Sequence, residues 1–237
     1  MEPNVYITGA DRGLGFSLAK KFLQEGYTVY AGRFLEDWDW LSRLQKDYPA
    51  RLSLITLDVG DLKSVENAAE EIAAKTSSLD ILINNAGILY KNVEDIFGNL
   101  DYEAMRKMYE INTLGPLKVT SSVVELLVEG EEKILVNISS EAGSIGDCWR
   151  KKEYGYTMSK AAVNKQSAIL QNHLREYGIK VFAIHPGYLR SYMFGEKNLD
   201  GDIEPADSAE GIYSLIKKNR DLDCHIYYDY RGRELPW

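Results

Sequence analysis

Thr8-Gly9-Ala10-Asp11-Arg12-Gly13-Leu14-Gly15 decides how this chain is read. The apolar run Val5–Thr8 leads into it, and Leu14, Leu18 and Phe22 follow at every fourth residue. That spacing lays one apolar stripe along a helix, so the segment is a turn from a first strand into a first helix. A turn of this kind, stripped of side chains, lets the backbone come close to a phosphate, and the helix start behind it offers free N–H groups. Gly9, Gly13 and Gly15 meet that need. Their spacing differs from GxGxxG, so the pattern taken alone would be weak; the strand before and the helix after carry the reading.

The same alternation continues outward. Strands are expected at Val5–Thr8, Thr28–Ala31, Leu52–Leu57, Ile81–Asn84, Lys133–Ser139, Lys180–His185 and Cys224–Tyr228. Several of these are apolar throughout, as in strands covered on both faces. Between them lie helical patterns such as Val65, Ala69 and Ile72, with Asp61 placed to cap the helix start. Strand–helix alternation implies one α/β domain over 1–237: a Rossmann fold, doubly wound, with a mostly parallel seven-stranded sheet and helices on both faces. The irregular stretches Ile88–Leu100, Glu141–Glu153 and Tyr188–Pro205 follow strand ends, where such sheets bind ligands.

Composition narrows the function. A net charge of −8 provides no basic surplus for a nucleic-acid binder, so any anion must be held by local groups. Cys148 and Cys224 lack metal-ligand spacing, and His173, His185 and His225 are scattered, so no metal is expected and the histidines read as structural. Two thiols, no apolar run near the ~20 residues of a membrane span, and a first strand starting at once suggest a cytoplasmic protein.

Further motifs in order along the chain give a family resemblance. TGxxxGxG at Thr8–Gly15, Asn84-Asn85-Ala86-Gly87, Tyr156-Thr-Met-Ser-Lys160 and Pro186-Gly187 resemble the motif set of the short-chain dehydrogenase/reductase family. The stretch from Tyr228 to Trp237 is similar to the sniffer/C-factor branch of small carbonyl reductases. The resemblance implies a nicotinamide dinucleotide held by Gly9, Asp11, Arg12, Gly13, Leu14 and Gly15. Asp58 and Val59 would read the adenine, while Asn85, Ala86 and Gly87 would support the adenosine side. Tyr156, Lys160, Pro186, Gly187, Leu189 and Ser191 would surround the nicotinamide end.

Choice between NAD and NADP is made at the ribose, where an acid binds a free 2′-hydroxyl and cations bind a 2′-phosphate. The second strand ends Ala31-Gly32-Arg33, with Gly32 where an acid would stand. Arg33 and Arg12 together form a clamp suited to a phosphate, so the expected cofactor is NADP(H). Asp11 puts an opposing negative charge nearby.

The chemistry rests on Tyr156 and Lys160, which share a helix face at i and i+4. A phenol of pKa ~10 is a poor acid at neutral pH unless a nearby cation stabilises its phenolate. Lys160 and the oxidised nicotinamide would supply that charge, with Tyr156 as general acid and base. Tyr154 competes, but Met158 stands four residues beyond it. The resemblance assigns Ser140 to the substrate oxygen, with Ser139 as second choice, and gives Asn112 a water linked to Lys160. The implied activity is NADP(H)-dependent carbonyl reduction. The rival is a dinucleotide-binding regulator without turnover, and an epimerase is disfavoured by the short chain.

Cys148, Trp149, Tyr188, Tyr192, Met193 and Phe194 suggest a partly apolar substrate pocket that leaves steroid, quinone, aldehyde and keto-ester open. The helices after Asn112 and around Tyr156–Tyr177 carry apolar residues, Leu117, Val123, Val124, Leu126 and Leu127 among them. Family members pair these helices, so a homodimer or homotetramer is expected.

Overall fold

The structure is a computed structural model and describes residues 2–35, 37–90, 95–98, 100–193 and 195–237. Its seven strands are β1 (Asn4–Ile7), β2 (Thr28–Arg33), β3 (Leu52–Thr56), β4 (Ile81–Asn84), β5 (Ile134–Ile138), β6 (Lys180–His185) and β7 (Tyr227–Asp229). They form one sheet in the order β3-β2-β1-β4-β5-β6-β7, and every neighbouring pair is parallel. The expected mostly parallel sheet is therefore parallel along all seven.

Side chains alternate between the faces of each strand, and both faces of β1 are buried. Val5 and Ile7 point to one core, shared with helices α1 (Gly13–Gln24), α2 (Trp40–Asp47) and α7 (Pro205–Lys218). Tyr6 points to the other core, covered by α3 (Leu62–Ala73), α5 (Gly115–Val128) and α6 (Tyr154–Leu174), with the short α4 (Tyr102–Tyr109) preceding α5 in the chain. Leu14, Leu18 and Phe22 of α1 are buried as their spacing requires. Asp61 caps α3 by accepting from the Lys63 N–H at 3.0 Å.

Several strand ends moved by one residue, and two boundaries moved further, for physical reasons. β2 runs two residues beyond Ala31 because its ladder with β3 continues to Arg33 opposite Thr56. β7 begins at Tyr227, not Cys224, since the carbonyls of Cys224 and His225 accept from Lys180 Nζ at 3.1 and 3.5 Å. The apolar residues of α5 also divide differently from expectation. Val123 and Leu127 are buried against the sheet and Val124 and Leu126 pack at its margin, which leaves Leu117 the exposed one of the five.

The sheet order places β1 between β2 and β4, so the chain leaves β1 and β4 in opposite directions. A crevice opens at that switch point, beyond the carboxyl ends of the strands. No described helix is long and apolar enough to cross a membrane.

Candidate active site

The glycine turn is shaped by what it touches. Gly9 has φ +63°, and a Cβ there would stand 2.8 Å from Ala86 Cα. Gly15 faces inward, where a Cβ would meet the Gly9 carbonyl oxygen at 2.1 Å. It thus serves the packing of helix on turn and does not line the cavity. Thr8 and Asn85 latch the turn to the end of β4. Thr8 Oγ1 accepts from the N–H groups of Asn85 and Ala86, both at 3.0 Å, and Asn85 Nδ2 donates to the carbonyls of Thr8 and Gly9, both at 2.9 Å. Helix α1 starts at Gly13 with no side chain capping it and no acid in its first turn, which suits an anion at its N-terminus.

Within the turn, Arg12 Nη1 meets Asp11 Oδ2 at 2.9 Å, an ion pair in which each charge offsets the other. Arg12 Nε also donates to the Tyr192 carbonyl at 3.0 Å. Arg33 ends β2 and Gly32 lies directly under the turn, its carbonyl accepting from Ala10 N–H at 2.8 Å. A Cβ at Gly32 would press on Leu57 at 2.9 Å and the Ile7 carbonyl at 3.3 Å. The position expected to lack an acid is therefore also short of room for one.

A cavity of about 450 Å³ runs from this turn to Tyr156 and Lys160. Lys160 is buried and its Nζ donates to the Ile138 carbonyl at 2.8 Å. Burial pulls its pKa down to about 8. The Tyr156 ring lines the cavity, and burial pushes its phenol up to about 12, against the pull of its hydrogen bond with Ser140. Gly143 lets the turn Glu141–Gly143 rest on α6, since a Cβ there would stand 2.7 Å from the Lys160 backbone carbonyl. That contact brings Ser140 to Tyr156. Ser139 lines the cavity, yet its hydroxyl donates to Asn164 Oδ1 at 2.6 Å, so Ser140 is the serine that engages the phenol.

Asn112 lies on a π-helical turn, Glu110–Leu114, of the kind found at functional sites. Its side chain accepts from Ile88 N–H at 2.8 Å and donates to the Ile88 carbonyl at 2.9 Å and Ser159 Oγ at 3.1 Å. It fastens the strand-end segment after Gly87 to α6.

Leu14, Asp58, Val59, Gly87, Pro186, Gly187, Leu189, Ser191, Tyr188, Tyr192 and Met193 line the cavity as expected, as do Gly9, Asp11, Arg12, Gly13, Asn85 and Ala86. Arg33, Asn112 and Ser140 are not among the residues that line it. Cys148 and Trp149 correct the expected pocket: both are exposed and outside the lining, and Trp149 lies under the Arg150 guanidinium at 4.5 Å. Phe194 falls outside the described residues. Phe34, Leu35, Lys107 and Ile111 line the cavity unforeseen. The first two directly follow Arg33, and Lys107 and Ile111 stand one helical turn apart just before Asn112, so proximity to named residues was the available signal. Also unforeseen is a buried chain of bonds. Asn84 Nδ2 donates to Thr120 Oγ1 and Asn137 Oδ1 at 3.0 and 2.9 Å, and Asn137 Nδ2 donates to Ser167 Oγ at 2.9 Å, which ties β4 and β5 to α5 and α6.

Comparisons with known proteins agree with this geometry. The family model for short chain dehydrogenase matches residues 3–202. An uncharacterized oxidoreductase of Schizosaccharomyces pombe is 34% identical, over 98% of this chain and 97% of its own length. The C-signal protein of Myxococcus xanthus is 33% identical over 68% of this chain and 95% of its own. The crystal structure of NADPH-bound carbonyl reductase from chicken fatty liver superposes with a TM-score of 0.89 at 28% identity, over the whole of both chains.

Proposed function

This chain belongs to the short-chain dehydrogenase/reductase family, and from that premise we propose that it is an NADP(H)-dependent carbonyl reductase with Tyr156 as general acid and base. The observation that carries the proposal is the continuity of one cavity from the glycine turn to Tyr156 and Lys160. The residues present fit a dinucleotide phosphate. The α1 N-terminus is uncapped, Gly9 and Gly13 leave the backbone bare, and Arg12 and Arg33 supply cations. Bound NADP(H) would supply hydride exchange at carbon.

The chain's own groups handle binding and the proton. Gly9 to Leu14 hold the pyrophosphate, and Arg12 and Arg33 take the 2′-phosphate. Ser140 and Tyr156 hold the carbonyl oxygen between two hydroxyls. With its phenol near 12, Tyr156 stays protonated at neutral pH and has a proton to give in reduction. The Lys160 ammonium next to it stabilises the phenolate left behind, and in the reverse direction that phenolate takes the proton from the alcohol. Asn112 supports this site from behind through Ile88 and Ser159.

The same reading includes a homodimer or homotetramer in the cytoplasm. Leu117 of α5 and Met158 and Ile169 of α6 are exposed on the helices that would pair. A screen of ketones, aldehydes, quinones and keto-esters, following NADPH absorbance, tests the function. Turnover of at least one is expected; consumption of none refutes the reductase.

A further inference from the structure

Ser140 and Tyr156 sit on separate pieces of chain, the turn after β5 and the start of α6. The loop between them is exposed at residues 145–149 and 151–153. Arg150 is the one residue of 145–153 that turns inward. Its Nη1 and Nη2 donate to the two oxygens of Glu141 at 2.6 and 2.7 Å, and its Nε donates to Glu153 Oε2 at 3.1 Å. Glu141 directly follows Ser140, and Glu153 precedes Tyr156 by three residues. We propose that Arg150 is a positioning residue whose guanidinium, by bridging Glu141 and Glu153, sets the placement of Ser140 relative to Tyr156.

Three features support a structural constraint beyond an ordinary surface ion pair. The contact to Glu141 is two-pronged, a geometry that fixes direction as well as distance. Glu153 adopts φ 68° and ψ 41°, left-handed backbone that a non-glycine residue keeps only when its surroundings hold it there. Its carbonyl also starts α6, accepting from Thr157 N–H at 3.0 Å and Thr157 Oγ1 at 2.9 Å. On the other side, Tyr227 Oη donates to the Ser140 carbonyl at 2.7 Å, so β7 fixes the outgoing end of the turn. Arg150 thus joins two ends that are each already anchored.

The bridge also sets the charge around the phenol. Tyr156 faces Ser140 and Glu141 from the turn, Arg150 and Glu153 from the loop, and Lys160 from its own helix. Glu141 and Glu153 disfavour the phenolate, and Arg150 favours it. Glu141 is itself held below the usual carboxylate range, since the Arg150 bonds outweigh its burial.

This inference rests on the reading of Ser140 and Tyr156 as the proton-handling pair, and its first test does not depend on turnover. Amide hydrogen exchange of Arg150→Gln should be at least tenfold faster in both the 140–147 and the 153–157 segments, with the interior of β5 unchanged. Wild-type exchange in both segments overturns the bridge. Should that variant not fold, Arg150→Lys is measured instead. A single ammonium cannot reproduce the two-pronged contact, so exchange should still rise in both segments, and wild-type rates overturn the proposal. Activity gives the second test. Arg150→Gln should lower kcat at least tenfold with the NADPH Kd within twofold. Its pH profile for alcohol oxidation should shift to the alkaline side, and that of Glu141→Gln to the acid side. Profiles that move in neither direction overturn the electrostatic part. If the wild-type protein reduces no carbonyl, the functional reading falls, and exchange still decides the bridge.

Discussion

The ammonium of Lys160 lies 5.7 Å from the ring centroid of Tyr156, one helical turn earlier on α6. Burial holds this lysine near a pKa of 8, below the ~10.4 of a free lysine, so folding costs most where the group must be charged. Between pH 8 and about 10.4 the unfolded chain binds a proton that the native state does not, and stability rises with pH. The unfolding free energy of the wild type minus that of Lys160→Met should therefore climb by about 2–3 kcal/mol from pH 7 to pH 10.4. Tyr156 shifts the opposite way above pH 10 but is present in both proteins. Urea titrations across that range are the check, and a flat difference refutes it.

Tyr156→Phe removes the hydroxyl that Ser140 engages while the ring continues to line the cavity. Carbonyl reduction should fall about 10²-fold or more, with NADPH affinity nearly unchanged. Steady-state rates and fluorescence binding separate the two effects. Undiminished reduction would assign the proton to another group.

Arg33→Asp places a carboxylate where the 2′-phosphate is proposed to lie. Affinity for NADPH should drop roughly 10- to 100-fold and affinity for NADH far less, in line with loss of a charged hydrogen bond. Titration calorimetry with both cofactors measures this. Equal losses would place Arg33 away from the ribose.

Gly15→Ala puts a methyl into the Gly9 carbonyl, 2.1 Å away before relaxation. The backbone must shift, at a cost of about 1–3 kcal/mol in stability. The glycine turn moves with it, so NADPH binding should weaken although Gly15 lies outside the cavity lining. Thermal melts with and without NADPH report both; a variant as stable and as tight as wild type contradicts the packing role.

Light scattering at micromolar concentration should give twice or four times the 26.9 kDa of one chain. Leu117→Glu, on an exposed position of α5, should shift the mass downward if that helix forms the contact. A mass of one chain for the wild type refutes the assembly.

Much of this architecture was legible in the sequence because it is set by local pattern. Apolar runs covered on both faces make central strands, four-residue spacing makes helix stripes, and a glycine turn between them marks the end of β1. Tyr156 and Lys160 were legible through their resemblance to the family's YxxxK motif, whose spacing puts i and i+4 on one helix face. Tertiary structure decided what depends on segments far apart in sequence. Gly15 serves the fold because Gly9 and Asn85 close over it, and Arg12 is held in place by the carbonyl of Tyr192, far along the chain. Cys148 and Trp149 stay outside the cavity lining, on a loop anchored by the contact of Arg150 with Glu141. Ser140 was named from the sequence, but its meeting with Tyr156 depends on Gly143 resting on α6 and on Tyr227 reaching across from β7. Periodicity reports which face of an element is buried; which distant side chain waits on the other side is set only when the layers close.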